Sequence, residues 1–305
     1  MDLVSVIIPN LHSPVIGQTL AALGEQDYRG PFEVIIVGQD QYGLVQQGGN
    51  IRSLVTSQPT PPGIARNLGV KASKGELLIF LDADCIPGRD WLRRHVEHYS
   101  DPYVDVVGGG VTFPTENYWT LAENLSMFYD YLASSPAGVR DQLPSLNLSV
   151  RRVVMEKVGW FQSRPAGEDS DFTTRLRQAG FLLNFDPLAY VTHLPKRRGA
   201  SSFFHRSFNF GRYSIKVERK YMGYLQTPEI LRHWFLTLLG APILAAGVIF
   251  RMLRRAMIWQ NLHTVPVIYL AKVVWCFGAA ETLRDGSVVV YNETPAPIKL
   301  TEKEN

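Results

Sequence analysis

The stretch Leu78-Ile79-Phe80-Leu81-Asp82-Ala83-Asp84-Cys85 runs four apolar residues directly into two carboxylates separated by one alanine. An apolar run of that length, bounded by turn-forming residues, reads as a buried strand. Two aspartates at its tip repel one another unless something positive sits between them. A strand ending in a turn, where aspartate is common, is the plain explanation. A divalent cation is the sharper one, because hard cations take carboxylate oxygens. The tripeptide alone leaves the two even.

The neighbouring segments favour the cation. Val4-Ser5-Val6-Ile7-Ile8-Pro9 reads as a buried parallel strand stopped by proline. Residues 14–26 predict a helix, with Pro14 near its first turn and Ile16, Leu20 and Leu23 at helical spacing. Glu33–Val37 is a second strand, 63–73 a helix after Thr-Pro-Pro-Gly, and 76–81 a further strand. Trp91, Leu92, Val96 and Tyr99 mark one face of another helix. Such short cycles predict an α/β fold with a doubly wound, mostly parallel sheet. Sheets of this kind bind ligands outside the carboxyl ends of their strands, which is where Asp82 and Asp84 fall.

At 305 residues the chain suffices for one large α/β domain or two smaller ones. Its 31 Lys and Arg against 28 Asp and Glu leave a charge of +3, too slight to imply nucleic acid. Cys85 and Cys276 form neither a disulfide framework nor a Cys-x-x-Cys pair, which suits a reducing compartment. The opening Met-Asp-Leu-Val-Ser-Val-Ile-Ile-Pro-Asn has no basic segment followed by a long apolar one. No signal peptide is therefore expected, and a catalytic part would stay in the cytoplasm.

Residues 117–135 fit a helix, and the segment 145–161 fits a strand followed by a helix capped at Gly159. In the following helix Phe172, Leu176 and Ala179 share a face and Gly180 is the stop. Glu168, Asp169 and Asp171 crowd its start. The helix dipole favours anions there and explains one or two carboxylates. Three in four residues, after Gly167, point to a site.

From residue 196 the character changes. Residues 196–220 hold eight Lys or Arg against one Glu, with Phe203, Phe204, Phe208, Phe210 and Tyr213 interleaved. An amphipathic element against phosphate or an anionic membrane fits this better than a solvated face. Residues 234–250 carry no charge, contain Pro242 and precede Arg-Met-Leu-Arg-Arg; residues 265–280 are interrupted only by Lys272. The pair fits a kinked hairpin, a re-entrant pair, interfacial helices or buried helices of a soluble domain, and membrane association is the expectation. The tail from Asn292 is expected to be loose.

Five of these segments, in order, resemble the inverting nucleotide-sugar glycosyltransferases of family 2, which have the GT-A fold. They are most similar to bacterial members that build polysaccharides or glycolipids at the inner membrane face. The segments are VSVIIP, PPGIARNLGVKASKGELLIFLDAD, SLNLSVRR, GEDSDFTTRLRQAG and YVTHLPKRR. The resemblance spans residues 3–215. It implies a nucleotide-sugar-binding half (1–111), an acceptor-binding and catalytic half (112–230) and membrane-associated helices with a tail (231–305).

The resemblance also implies roles. Asp84 would be a direct ligand of Mn²⁺ or Mg²⁺, Asp82 would reach ribose hydroxyls or a metal-bound water, and His193 is the third metal candidate. Histidine's alternative is a satisfied residue at a strand end. Arg66, with Asn67 beside it, would approach the base or the diphosphate, or cap a neighbouring element; Pro9 stands at the same donor edge. Asp169 matches the catalytic base, Glu168 would tune the site, and Asp171 would bind an arginine or an acceptor hydroxyl. A carboxylate opposite the leaving group is what inversion needs.

Two features depart from the family pattern. Relatives follow the second strand with an aspartate that reads uracil, whereas here Gly38 and Gln39 precede Asp40. A UDP-sugar donor is expected, with Asp40 shifted into place or Gln39 reading the base by its amide. The Gln-x-x-Arg-Trp motif of processive synthases is missing after the acidic helix, which favours transfer of a single sugar. Arg206, Arg212 and Lys216, with Phe203, Phe204 and Phe210, would serve a lipid-linked or glycan acceptor at the cytoplasmic membrane face. A nucleotidyltransferase is a rival, but Pro-Asn-Leu-His-Ser-Pro-Val-Ile-Gly is not the glycine-rich basic loop it needs. A non-catalytic membrane-bound scaffold is a second rival, with little need of Asp84, Asp169 and His193 together.

Overall fold

β-Branched and aliphatic runs form the inner strands. The computed structural model describes residues 3–196, 199–225, 227–286 and 300–301. The first elements are β1 (Val4–Leu11), α1 (Ile16–Gly24), β2 (Phe32–Gln39), β3 (Ile51–Thr56) and α2 (Pro62–Ala72). Then come β4 (Leu77–Leu81), β5 (Cys85–Pro87), α3 (Trp91–His98), β6 (Val106–Thr112) and α4 (Tyr118–Phe128). β7 (Gly138–Val139), β8 (Asn147–Arg151), α5 (Arg152–Val158), α6 (Glu168–Gln178) and β9 (Leu183–His193) follow. The C-terminal part is helical: α7 (Ala200–Lys220), α8 (Met222–Leu225), α9 (Trp234–Leu239), α10 (Ala241–Met252), α11 (Ala256–Gln260) and α12 (Val265–Asp285). A short β10 (Leu300–Thr301) pairs antiparallel with β3; the rest of the tail expected to be loose lies outside the described residues.

The chain divides into two compact units. The first comprises residues 1–112, 136–196 and 291–305; the second comprises 113–135 and 197–290.

The first unit is a sheet in the order β10-β3-β2-β1-β4-β8-β6-β9-β5, with β7 paired to β9. β3, β2, β1 and β4 are mutually parallel. β8 is antiparallel to both β4 and β6, and β5 is antiparallel to β9. The sheet is thus mixed, a Rossmann-like parallel half joined to a mixed half. The reason lies in the connections. A parallel neighbour needs a crossover, which α1 and α2 supply, whereas β4 passes into β5 through a tight turn closed by Cys85 N–H donating to the Asp82 carbonyl (3.0 Å). β5 therefore pairs across the sheet with β9.

Every residue of β4 is buried, as the apolar run predicted. The helix expected at 14–26 forms over 16–24, the one expected at 63–73 forms one residue earlier over 62–72, and Gly159 and Gly180 end α5 and α6 at φ +92° and +91°. Positive φ is the conformation that lets glycine close a helix. The helix expected over 117–135 stops at Phe128.

In the second unit the uncharged run 234–250 is not one helix. It breaks at Gly240, and Pro242 lies in the first turn of α10. Among the described residues one helical stretch, Leu262–Asp285, is long and apolar enough to cross a membrane.

Candidate active site

β4 delivers Asp82 and Asp84 to the carboxyl edge of the sheet. The β5–β9 register sets Cys85 opposite His193, and Leu194 N–H donates to the Asp84 carbonyl (2.8 Å). This pairing brings His193 Nε2 to 3.8 Å from Asp84 Oδ2. Among the described residues no group of three His, Cys, Asp or Glu side chains forms a metal cage. Asp84 and His193 could nevertheless hold a hard divalent ion between them.

Asp82 faces a different partner. Arg66, on α2 and 2% exposed, donates from Nη2 to Asp82 Oδ1 (2.6 Å) and from Nη1 to Glu168 Oε1 (3.0 Å). One guanidinium therefore joins two acidic segments far apart in sequence. Its planar fork suits two carboxylates at once, and the Phe161 ring lies 5.6 Å from it. The two carboxylates hold Arg66 above the usual arginine range, against the cost of burial. Its Nε is buried without a protein partner.

Burial pushes the Glu168 carboxyl up to about 7, aided by the charge of Asp169 and opposed by Arg66. Asp169, half-buried, is also raised, chiefly by burial and by the charge of Asp82. The backbone N–H groups of Ser170 (2.8 Å) and Ser145, together with Arg66, restrain that rise. Two adjacent carboxylates at a helix N-terminus, both raised by burial and next to one arginine, form an arrangement that can accept a proton near neutral pH.

Asp171 is fully buried. Its Oδ2 accepts from Arg175 Nε (2.9 Å), and Arg164 lies 3.8 Å from the other oxygen. Arg175 also donates to the carbonyls of Val158, Gly159 and Trp160, so the pair ties α6 to the end of α5. Asn67 is occupied at both ends of its amide by the backbone of Phe161. Pro9 sits in β1 opposite Val37. Asp40 accepts from the N–H groups of Tyr42 (3.2 Å) and Val45 (2.8 Å), shaping the loop after β2, while Gln39 Nε2 donates to Thr56 O (3.1 Å). Gly38 is required where it stands: at φ +135° a Cβ would lie 2.0 Å from the Asn10 carbonyl oxygen.

Three features escaped the sequence reading. Lys196 donates to the carbonyls of Leu11 (3.0 Å) and His12 at the end of β1. In the sequence it is one cation in a basic tract. Ser145, whose backbone steadies Asp169, carries no sequence signal at all. The third is a buried network. Asn147 Nδ2 donates to Gly110 O and Ala189 O, so its Oδ1 accepts from Trp91 Nε1 (2.8 Å) and His95 Nε2 (2.9 Å). Burial lowers the His95 imidazole to about 4, which keeps it neutral. Alternation in Asn147-Leu148-Ser149-Val150 was its one available signal.

In the second unit Arg206 Nε lies 3.1 Å from Glu123 Oε1, and Arg212 Nε lies 3.1 Å from Glu281 Oε2. Phe203 is buried.

The chain is similar to known glycosyltransferases. The family described as "Glycosyl transferase family 2" matches residues 5–144, and "Glycosyl transferase family group 2" matches residues 77–280. The chain is 29% identical over 306 residues to glycosyltransferase AglE of Haloferax volcanii, covering 96% of this chain and 98% of that one. It is 25% identical over 268 residues to the poly(ribitol-phosphate) β-N-acetylglucosaminyltransferase TarS of Staphylococcus aureus, covering 70% of this chain and 46% of the relative. In fold it is similar to a mannosyltransferase of Pyrobaculum calidifontis solved with GDP-mannose and Mn²⁺. That match has a TM-score of 0.62 and 18% identity, over 93% of this chain and 88% of the other. The match over residues 77–280 spans both the Asp82–Asp84 strand end and the start of α6, and the chain belongs to the family 2 glycosyltransferases.

Proposed function

We propose that the protein transfers a single sugar, with inversion, from a nucleoside diphosphate sugar to a lipid-linked or glycan acceptor, and that Asp169 is the base. The observation that carries this reading is the bridge from Asp82 through Arg66 to Glu168. It ties the donor-side strand end to the helix start that bears Asp169.

In this reading the acceptor oxygen attacks the anomeric carbon and its proton passes to the Asp169 carboxylate. The bond from that carbon to the phosphate oxygen breaks, and the electron pair leaves on the diphosphate. Arg66 and the amides of Ser170 and Ser145 keep Asp169 ionised enough to accept the proton. Glu168 holds Arg66 in register from the other side. Asp84 and His193 would hold a Mn²⁺ or Mg²⁺ ion, with Asp82 at its edge; such an ion supplies charge neutralisation for the departing diphosphate. Asp171 serves this site by fixing α6 through Arg175.

The donor in this reading is a UDP-sugar, with Asp40 freed from its loop contacts or Gln39 addressing the base, and with Pro9 and Asn67 shaping the edge. Arg206 and Arg212 are the proposed contacts to an acceptor phosphate, which would have to displace Glu123 and Glu281. The enzyme would work at the cytoplasmic face of a membrane.

Screening UDP-, GDP- and other nucleotide-sugars against the detergent-solubilised full chain with Mn²⁺ tests the reading. Release of the nucleoside diphosphate from one donor class is expected. Release from none of them, with or without lipid-linked acceptors, would sink it.

A further inference from the structure

The second unit presents an apolar face of a kind that soluble surfaces avoid. Leu239 and Ile243 are 78% and 77% exposed, and Phe250 is 64% exposed. The spacing of seven places Ile243 and Phe250 on one side of α10, and Leu239 ends α9 just before it. On α12, Leu270 and Phe277 are each 52% exposed and also seven apart. Between α10 and α12 runs a groove of about 580 Å³ lined entirely by apolar and aromatic residues, among them Ala246, Phe250, Pro266, Tyr269 and Leu270. Phe250 and Leu270 belong to both the groove and the exposed sides, so the two form one continuous surface. Contiguous apolar surface of this extent marks an interaction site.

Its border is basic. Arg251, in the last turn of α10 and also bonded to Tyr129, and Arg254, just beyond that helix, are exposed, and the Arg254 guanidinium lies 5.4 Å from the Phe250 ring. Trp234 and Trp259, 42% and 60% exposed, stand near the ends of the α9–α11 stretch. Apolar area edged by arginine and tryptophan complements the hydrocarbon boundary of an anionic lipid surface.

Packing within the unit argues against crossing the bilayer. α12 is pressed backbone to backbone on α7: a Cβ on Gly278 would lie 2.0 Å from Phe208 O, and one on Gly211 would lie 2.0 Å from Trp275 O. Trp275 Nε1 donates to Ser214 Oγ (3.1 Å) and Thr282 Oγ1 to Arg212 O (3.0 Å), so the contact runs over residues 208–214 of α7 and 275–282 of α12. α7 carries His205, Arg206, Arg212, Lys216, Arg219 and Lys220. If α12 crossed, it would draw this charged helix into hydrocarbon, where such residues are expensive. The other apolar helix, α10, has 12 residues, about 18 Å against a hydrocarbon core of about 30 Å.

We propose that the second unit lies in the surface of an anionic phospholipid bilayer without spanning it, with one lipid chain seated in the groove between α10 and α12 and the phosphate met by Arg251 and Arg254. This goes beyond the catalytic reading and stands apart from it. The full chain should co-sediment with vesicles of phosphatidylcholine plus phosphatidylglycerol far more than with phosphatidylcholine alone. Phe250→Glu and Leu270→Glu, both at exposed positions, should each weaken that binding at least tenfold while turnover in detergent is unchanged. Sidedness comes from single cysteines, Asn261→Cys and Asp285→Cys, since the native Cys85 and Cys276 are buried. In sealed membranes from expressing cells both positions should react with an impermeant maleimide from the same side. Labelling from opposite sides would show a spanning helix and overturn the proposal. Vesicle binding that ignores both glutamate variants, or a lipid-free dimer that Phe250→Glu dissolves, would overturn it equally, the latter by assigning the face to a second copy of the chain.

Discussion

The start of α6 and the outer side of α10 break the same rule in opposite directions. Near α6 the first unit buries Glu168 and Asp171 and half-buries Asp169; on α10 the second unit exposes Ile243 and Phe250. Charge inside and apolar area outside both cost stability, and each is informative because a fold gains nothing from it. The difference lies in what the protein itself supplies. The buried carboxylates have their counter-charges in Arg66 and Arg175, so that site is preorganised within the chain. Among the described residues no element of its own unit covers the apolar face.

The sharpest way to break the first half of that comparison is to remove the counter-charge. Arg66→Met leaves Asp82 and Glu168 facing each other without a cation, and should cost about 3–5 kcal/mol of stability. The double variant Arg66→Met/Glu168→Gln should recover part of that loss in denaturant unfolding. A single variant as stable as the parent would mean the bridge holds nothing together.

Next in size is the proposed metal position at Asp84 and His193. Asp84→Asn removes charge with little volume, and should weaken Mn²⁺-dependent binding of UDP at least tenfold by calorimetry, the fold unchanged. Equal affinity would remove Asp84 from the ligand set.

A smaller effect concerns pH. A base must be ionised, and the carboxyls of the Glu168–Asp169 pair both titrate above their ordinary range, Glu168 at about 7. Turnover should therefore rise as pH climbs toward neutrality. Glu168→Gln deletes the negative neighbour, which favours ionised Asp169, so the acid limb should move to lower pH. A limb that stays in place would show that another group governs it.

The smallest effect is expected at Asp171. Its partner Arg175 keeps three carbonyl contacts without it, so Asp171→Asn should cost about 1–3 kcal/mol of stability and change turnover only a few fold.

Much of this was legible in the chain. Strands Val4–Leu11 and Leu77–Leu81 announce themselves because burial on both sheet faces requires unbroken apolar runs. The caps at Gly159 and Gly180 follow from the positive φ that glycine tolerates. The crowding of Glu168, Asp169 and Asp171 was visible too, but not their different partners, since one turn of helix sends neighbouring side chains in different directions. Arg66 stood beside an apolar helix face, and nothing local reveals that it reaches Glu168, 102 residues away. The mixed sheet was hidden for a similar reason. Strand direction depends on where β5 and β8 find partners, which is settled by long-range pairing and not by local pattern. The uncharged run 234–250 read as one segment because apolarity says nothing about the break at Gly240.

The central claim is that Asp169 takes the acceptor proton in a site assembled around Arg66. Steady-state turnover of Asp169→Asn, with UDP and Mn²⁺ binding measured on the same preparation, tests it most directly. Loss of about 10²–10⁴-fold in turnover with nucleotide affinity unchanged is the predicted result. Turnover retained within tenfold would contradict it and hand the proton to another carboxylate.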